Sequence, residues 1–350
     1  MSQTAPATAA DEFADASRGA AQRIRATLQK YPWISPLVVL IIAFTFFFAT
    51  ATQFRQPNSL SLMLGQTVVV GTLAIAQTIV ILTAGIDLSI GAIMVFGQMV
   101  MANLAVYTTA SNVTFMAGQN PAVAIIIGII IATLAGGLNG FLIVRFNLPP
   151  FIVTLGTLSI FTALTLLIFK ARTIQPKEMP ELMTIMGQRI SIGPFFVTLG
   201  LIVMFLLYVL FVYLLRGTAW GTHVYAVGND PVASELSGIN VKRVIFSVYL
   251  VAGVVIGIGA WIQIGRANSA SPNVAPDLNL ETITAVVIGG TSLFGGRGRL
   301  IGSFIGALIV TVFDFGLSLK GVDQAYRVLA IGILVIAAVA LDQWIRGVKS

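Results

Sequence analysis

The chain has 350 residues, of which 57% are hydrophobic and only 9% charged, with 34 glycines and a mean hydropathy of +0.95. Soluble domains carry about 25% charged residues to wet their surface, so a soluble enzyme is excluded, and apolar blocks of roughly 20 residues are too long and continuous for barrel strands. The net charge of +7 does not indicate nucleic acid, because the 20 basic residues are scattered through short loops, while the absence of cysteine removes thiol and disulfide chemistry and the single histidine, His223, argues against a zinc cluster.

Residues 1–32 read as a polar cytoplasmic tail, without the apolar core and cleavage site of a signal peptide and with a surface helix over 20–28. Ten apolar segments follow, at 33–51, 60–84, 88–107, 122–144, 151–169, 195–215, 244–264, 282–293, 300–319 and 326–341. The eighth is half a span. With the N-terminus inside and a crossing at each block, 12 basic residues fall on the cytoplasmic side and 8 outside, the direction expected of a membrane protein. The expected fold is therefore all-α, a polytopic membrane protein of about ten transmembrane helices, some broken or half-spanning. Its permease domain covers 33–345, and 346–350 form a short cytoplasmic C-terminus.

In chain order, the first departure from simple spans is TAGIDLSIG, 83–91, where glycine, an acid and a serine separate two apolar blocks. A charge at the bilayer centre costs on the order of 3 kcal/mol on insertion scales. Asp87 suits an N-cap of the following helix; equally, the stretch suits a discontinuous helix whose polar break lines a transport path. Gly136 and Gly140, Gly253 and Gly257, and Gly302 and Gly306 recur at four-residue spacing and predict close helix packing. Gln66, Gln77, Gln98, Asn139 and Gln263 lie in or at the ends of apolar spans and are expected to bond between helices. The loop at 170–193, with Lys170, Arg172, Lys177 and Arg189, reads as a small external domain or lid.

On the inner side, 216–243 is the longest polar loop. Asp230 can cap a helix, Pro231 suits its first position and Gly238 its stop, which defines about two turns, either a docking element or a plain connector. His223 reads as a solvated loop residue. The stretch ITAVVIGGTSLFGGRGRLIG, 283–302, has glycines that could cradle phosphate, but no Lys-Ser or Lys-Thr follows them and no Walker loop exists. Its glycines instead allow a tight turn, with Arg297 and Arg299 in water.

ILTAGIDLSIGAIM, LPPFIVTLGTLSI, AWGTHVYAVGNDPVASELSGINVKR and ITAVVIGGTSLFGGRG occur in this order. The combination resembles the permease subunits of the ribose, xylose, arabinose and fructose branch of bacterial ATP-binding-cassette importers, most closely the fructose permeases. The resemblance implies the type II importer permease fold in the bacterial inner membrane and a non-catalytic subunit. It implies a partner ATPase that binds ATP and Mg, an extracytoplasmic sugar-binding protein and a second permease copy, with no cofactor in this chain. It also implies a coupling role for Asp230, Pro231, Ala233, Glu235, Leu236, Gly238 and Ile239, with Glu235 facing the ATPase and Ala233, Leu236 and Ile239 giving the apolar contact. A neutral sugar path is expected to be lined with hydroxyl and amide groups, which selects Asp87, Ser89, Asn139, Thr154, Thr157 and Thr291. The alternatives are a cassette permease for branched-chain amino acids or nucleosides, and an ion-coupled secondary sugar transporter, for which Asp314 is the intramembrane acid.

Overall fold

The computed structural model describes residues 34–106, 118–273 and 277–346, so the expected helix at 20–28 and nearly all of the 346–350 terminus lie outside the described residues. The chain begins with α1 (Ile34–Thr50), α2 (Pro57–Leu82), α3 (Ile90–Ala105), α4 (Pro121–Phe146) and α5 (Pro150–Phe169). A compact segment follows, with a short α6 (Glu181–Thr184) and strands β1 (Arg189–Ile192) and β2 (Phe195–Thr198). Then come α7 (Leu199–Gly217), α8 (Ala219–Asn229), α9 (Pro231–Leu236) and α10 (Val241–Ala267), and the chain closes with α11 (Leu278–Ile288), α12 (Leu300–Leu319) and α13 (Gln324–Arg346).

All ten apolar blocks contribute a helix, because a helix satisfies its own backbone where lipid offers no hydrogen bonds. Six of them, α2, α4, α5, α7, α10 and α12, are long and apolar enough to cross a membrane, while α1, α3, α11 and the apolar part of α13 (Gln324–Ala337) are shorter. Proline opens α2, α4, α5 and α9, where its missing N–H costs no helical bond. At the centre stands α2, in which every residue from Thr67 to Leu82 is buried. The three glycine pairs sit at helix contacts: Gly136 and Gly140 meet α10 at Tyr249 and Phe246, Gly253 and Gly257 meet α4 at Ala132 and Ile129, and Gly302 and Gly306 meet α11 at Gly289 and Ala285.

Two boundaries differ from the sequence reading. The block at 195–215 does not begin as helix: Phe195–Thr198 pairs antiparallel with Arg189–Ile192, one short hairpin in an otherwise helical fold. The Phe196 amide donates to Ser61 Oγ at the start of α2 (3.0 Å), and Thr198 Oγ1 accepts from Leu201 N–H, which sets the helix start after the strand. The half-span at 282–293 is shifted to Leu278–Ile288. Polar Asn279 and Glu281 concealed its first turn, and Gly290, at φ +85°, terminates it.

The segment from Lys170 to Thr198 is tied down rather than free. Arg172 pairs with Glu178 at 2.7 Å, Ile174 bridges Ala270, and Trp261 Nε1 donates to the Leu182 carbonyl at 3.1 Å. It thus packs over the end of α10 and the start of the loop that leads to α11.

Candidate functional site

The first candidate site is built on the break between α2 and α3. The end of α2 reverses with Ala84 in the left-handed region (φ +60°), the Ala84 amide bonding Ile81 O and the Gly85 amide bonding Val80 O. A non-glycine residue there costs roughly 1 kcal/mol, so the surrounding packing imposes this turn. It delivers Asp87 and Ser89, 1% and 0% exposed, into the protein interior.

There the side chains form a chain of hydrogen bonds. Thr157 on α5 donates to Asn139 Oδ1 (2.8 Å), Asn139 Nδ2 on α4 donates to Ser89 Oγ (2.8 Å), and Ser89 Oγ donates to Asp87 Oδ1 (2.6 Å). Asp87 Oδ1 also accepts the Ser89 amide at 2.8 Å, and the Thr154 hydroxyl lies 3.1 Å from the Ile86 carbonyl. Asn139 lies seven residues before the end of α4 at Phe146 and Thr157 seven residues after the start of α5 at Pro150, which puts the network about 10 Å from those helix ends. Buried polar groups of this kind are costly unless they are paired, and the chain of donors and acceptors meets that demand for all but Asp87 Oδ2.

Five of the six residues selected from sequence therefore meet in one place, enclosed between α3, α4 and α5. Thr291 does not join them. It lies in the loop after α11, buried against Gly298, with its amide bonded to Val286 O. Asp87 does not cap α3 as the sequence suggested, because its carboxylate takes the Ser89 amide. The Gly91 amide in the first turn of α3 is capped instead by Asn279 Oδ1, at 2.6 Å, from the start of α11. Gln98, one face up α3, donates to Ser271 O at 2.8 Å. The loop before α11 thus runs alongside α3, and two interrupted helices meet through Asn279. Sequence reasoning passed over Asn279, and its only signal was an amide in an otherwise apolar run.

Of the other intramembrane polar residues, Gln77 is fully buried with neither amide atom bonded to protein among the described residues. Asp314 pairs with Arg327 at 2.7 Å and is not a free acid.

The second candidate site is the short helix α9. Asp230 Oδ1 accepts the amides of Val232 and Ala233, both at 2.9 Å, and Pro231 opens α9. The stop is a Schellman turn: the Ile239 amide bonds Ser234 O, the Gly238 amide bonds Glu235 O, and Gly238 has φ +83°. Between these caps Glu235 is exposed and Leu236 is 86% exposed. The turn carries Ile239 inward against the chain's own core, so it is not part of the outward apolar surface with Ala233 and Leu236. Val232, 69% exposed and missed in the sequence, is. The preceding α8, capped by Thr218 and also missed, holds His223 on a helix and half-buried rather than in a solvated loop.

The glycine-rich turn after α11 joins the two sites. The Gly296 amide donates to the Leu82 carbonyl at the end of α2 (2.9 Å). On α8, Gly228 packs against that same carbonyl so closely that any side chain there would run into it. A backbone-to-backbone contact therefore links α8 and α9 to the turn that carries Asp87.

The family described as branched-chain amino acid transport system / permease component matches residues 59–339. The fructose import permease protein FrcC of Rhizobium meliloti is 44% identical over 333 residues, 94% of this chain and 90% of that one. The ribose import permease protein RbsC of Bacillus subtilis is 35% identical over 83% of this chain and 86% of its own length. The D-allose transport system permease protein AlsC of Escherichia coli is 33% identical over 88% and 90%. No solved structure matches the chain.

Proposed function

Because this chain belongs to the permease family of ATP-binding-cassette importers, and its relatives there are sugar import permeases, we propose that it conducts a monosaccharide, fructose first among the candidates, into the cytoplasm. It is a multi-pass permease of the inner membrane and the translocating subunit of a sugar importer. The observation that carries the choice of fructose is the 44% identity over 94% of the chain to a fructose import permease.

In this reading, ATP and Mg bind to a separate cytoplasmic ATPase, an extracytoplasmic binding protein delivers the sugar, and two permease copies flank the path. The helix α9 docks on the ATPase through Val232, Ala233, Glu235 and Leu236, with Asp230, Pro231 and Gly238 shaping it and Ile239 anchoring it. The contact of Gly228 and Gly296 with Leu82 supports this reading, because it gives a displacement of α9 a stiff route to the α2–α3 break. Asp87, Ser89, Asn139, Thr154 and Thr157 then set the position of that break beside the path, and Thr291 steadies the loop that touches it.

The test is uptake of labelled sugars by cells that lack their own permease and express this chain with its ATPase and binding protein. Saturable fructose uptake that ribose and allose inhibit poorly supports fructose; preferential uptake of another pentose or hexose replaces it. Uptake of leucine or a nucleoside without any sugar uptake would defeat the sugar reading.

A further inference from the structure

At the cytoplasmic ends of α7 and α12 a groove opens, floored by Tyr225 of α8 and walled by Val212, Leu215 and Ile301. Two guanidinium groups stand at it, Arg216 at the end of α7 and Arg299 just before α12. Both are exposed. Among the described residues the ion pairs are Arg172 with Glu178 and Arg327 with Asp314, so neither Arg216 nor Arg299 has a carboxylate partner. Tyr225 donates its hydroxyl to the Gly298 carbonyl (3.0 Å). Burial raises its pKa, and the charges of Arg216 and Arg299, which line the same groove, oppose that rise.

We propose that this groove binds the phosphate headgroup of an anionic phospholipid from the cytoplasmic leaflet, through Arg216 and Arg299, with its acyl chains along Val212 and Ile301. The exposed apolar surface beside the arginines favours a lipid over a free phosphate. Val212 is one turn inside Arg216, about 6 Å toward the bilayer, and Ile301 is 47% exposed, so the walls continue as apolar surface. Tyr213, 64% exposed, lies beside them at the level where aromatic side chains favour the membrane interface. The chemistry is complementary: two fork-shaped donors match phosphate oxygens, and cationic side chains near an anionic leaflet are favoured. Helix α12 also starts there without a side-chain cap, and a helix N-terminus favours negative charge. A bound lipid would brace α8, the helix that leads into α9, against the ends of α7 and α12.

The experiment uses the full chain, delipidated and offered palmitoyl-oleoyl phosphatidylglycerol or phosphatidylcholine, with bound lipid counted by native mass spectrometry. The expected result is preferential retention of phosphatidylglycerol, weakened roughly thirtyfold in an Arg216→Gln, Arg299→Gln variant, at roughly fivefold per arginine near an anionic surface. An Arg216→Lys, Arg299→Lys variant should keep most of the preference, and Arg145→Gln, on the cytoplasmic end of α4, should keep all of it. Equal retention by wild type and the double Gln variant overturns the site, as does an equal loss in Arg145→Gln. Displacement of the lipid by inorganic phosphate would assign the groove to free phosphate instead. Loss of ATPase co-purification with lipid retention intact would assign the two arginines to the protein partner. On the unaltered chain, hydrogen exchange at 216–225 and 299–303 should slow in phosphatidylglycerol discs relative to phosphatidylcholine discs; identical exchange also overturns the proposal.

Discussion

The side-chain oxygen of Asn279 accepts the Gly91 amide at 2.6 Å, so the first turn of α3 is capped by a residue 188 positions away on another interrupted helix. Loss of a helix cap costs about 1 kcal/mol. Asn279→Ala should therefore lower the thermal unfolding midpoint of the purified permease, whereas Leu280→Ala, at a neighbouring position that is 56% exposed, should leave it nearly unchanged. Equal shifts in the two variants would show that the cap contributes nothing.

The proposed docking role of α9 gives a second prediction. Leu236→Asp and Glu235→Arg alter only exposed positions and should leave the chain in the membrane while reducing ATPase co-purification. Gly238→Val adds a strain of about 1 kcal/mol in the left-handed turn and should reduce coupling as well. Normal uptake and normal ATPase recovery in a Glu235→Arg, Gly238→Val double variant would leave α9 as a plain connector.

The route from α9 to the break predicts a contrast between two glycines. At Gly228 a methyl group meets the Leu82 carbonyl and the Gly296 amide, whereas at Gly332 on α13 it meets nothing. Gly228→Ala should impair sugar uptake out of proportion to its effect on membrane level, and Gly332→Ala should be silent. Uptake is measured per unit of permease in the membrane, and full uptake in Gly228→Ala would break the proposed link.

Since the chain has no cysteine, topology can be read with single introduced cysteines. Lys177 and Glu235 are both exposed and lie on opposite sides in the expected orientation. Lys177→Cys should react with an impermeant maleimide in intact cells and Glu235→Cys only after lysis. The reverse pattern would invert the orientation, with the 170–193 loop inside.

The ten helices were legible because lipid imposes long apolar runs, and the caps of α9 were legible because Asp-Pro and Gly act locally. What escaped the sequence reading depended on partners or on contrast. Phe195–Thr198 is apolar and continuous with α7, so hydropathy cannot separate strand from helix; only its pairing with Arg189–Ile192 does. Ile239 looked available because its outward or inward aim is set by the turn at Gly238. Five of the six residues expected to line the path converge as a group, yet no local signal reveals that Asn139 bonds both Ser89 and Thr157. Thr291 was selected for its hydroxyl alone, and the loop geometry takes it elsewhere.

The network itself supplies the last prediction. Thr157, Asn139, Ser89 and Asp87 form one donor-to-acceptor series in a space closed to solvent, so each bond fixes the orientation of the next. Removing Asp87 strips an acceptor from both the amide and the hydroxyl of Ser89, and a buried donor left unpaired costs about 1–3 kcal/mol. Asp87→Ala should thus destabilise the permease more than Thr154→Val, because the latter only takes one donor from the Ile86 carbonyl, whereas the former leaves two buried donors of Ser89 without their acceptor. Thr157→Val and Asn139→Leu should be non-additive, since either one alone already breaks the series at the same bond. If the network holds the break in register, these variants should lower uptake more steeply than basal ATPase activity of the assembled importer. Additive effects of Thr157→Val and Asn139→Leu on stability, together with unimpaired uptake, would mean that the four residues act separately and do not position the break.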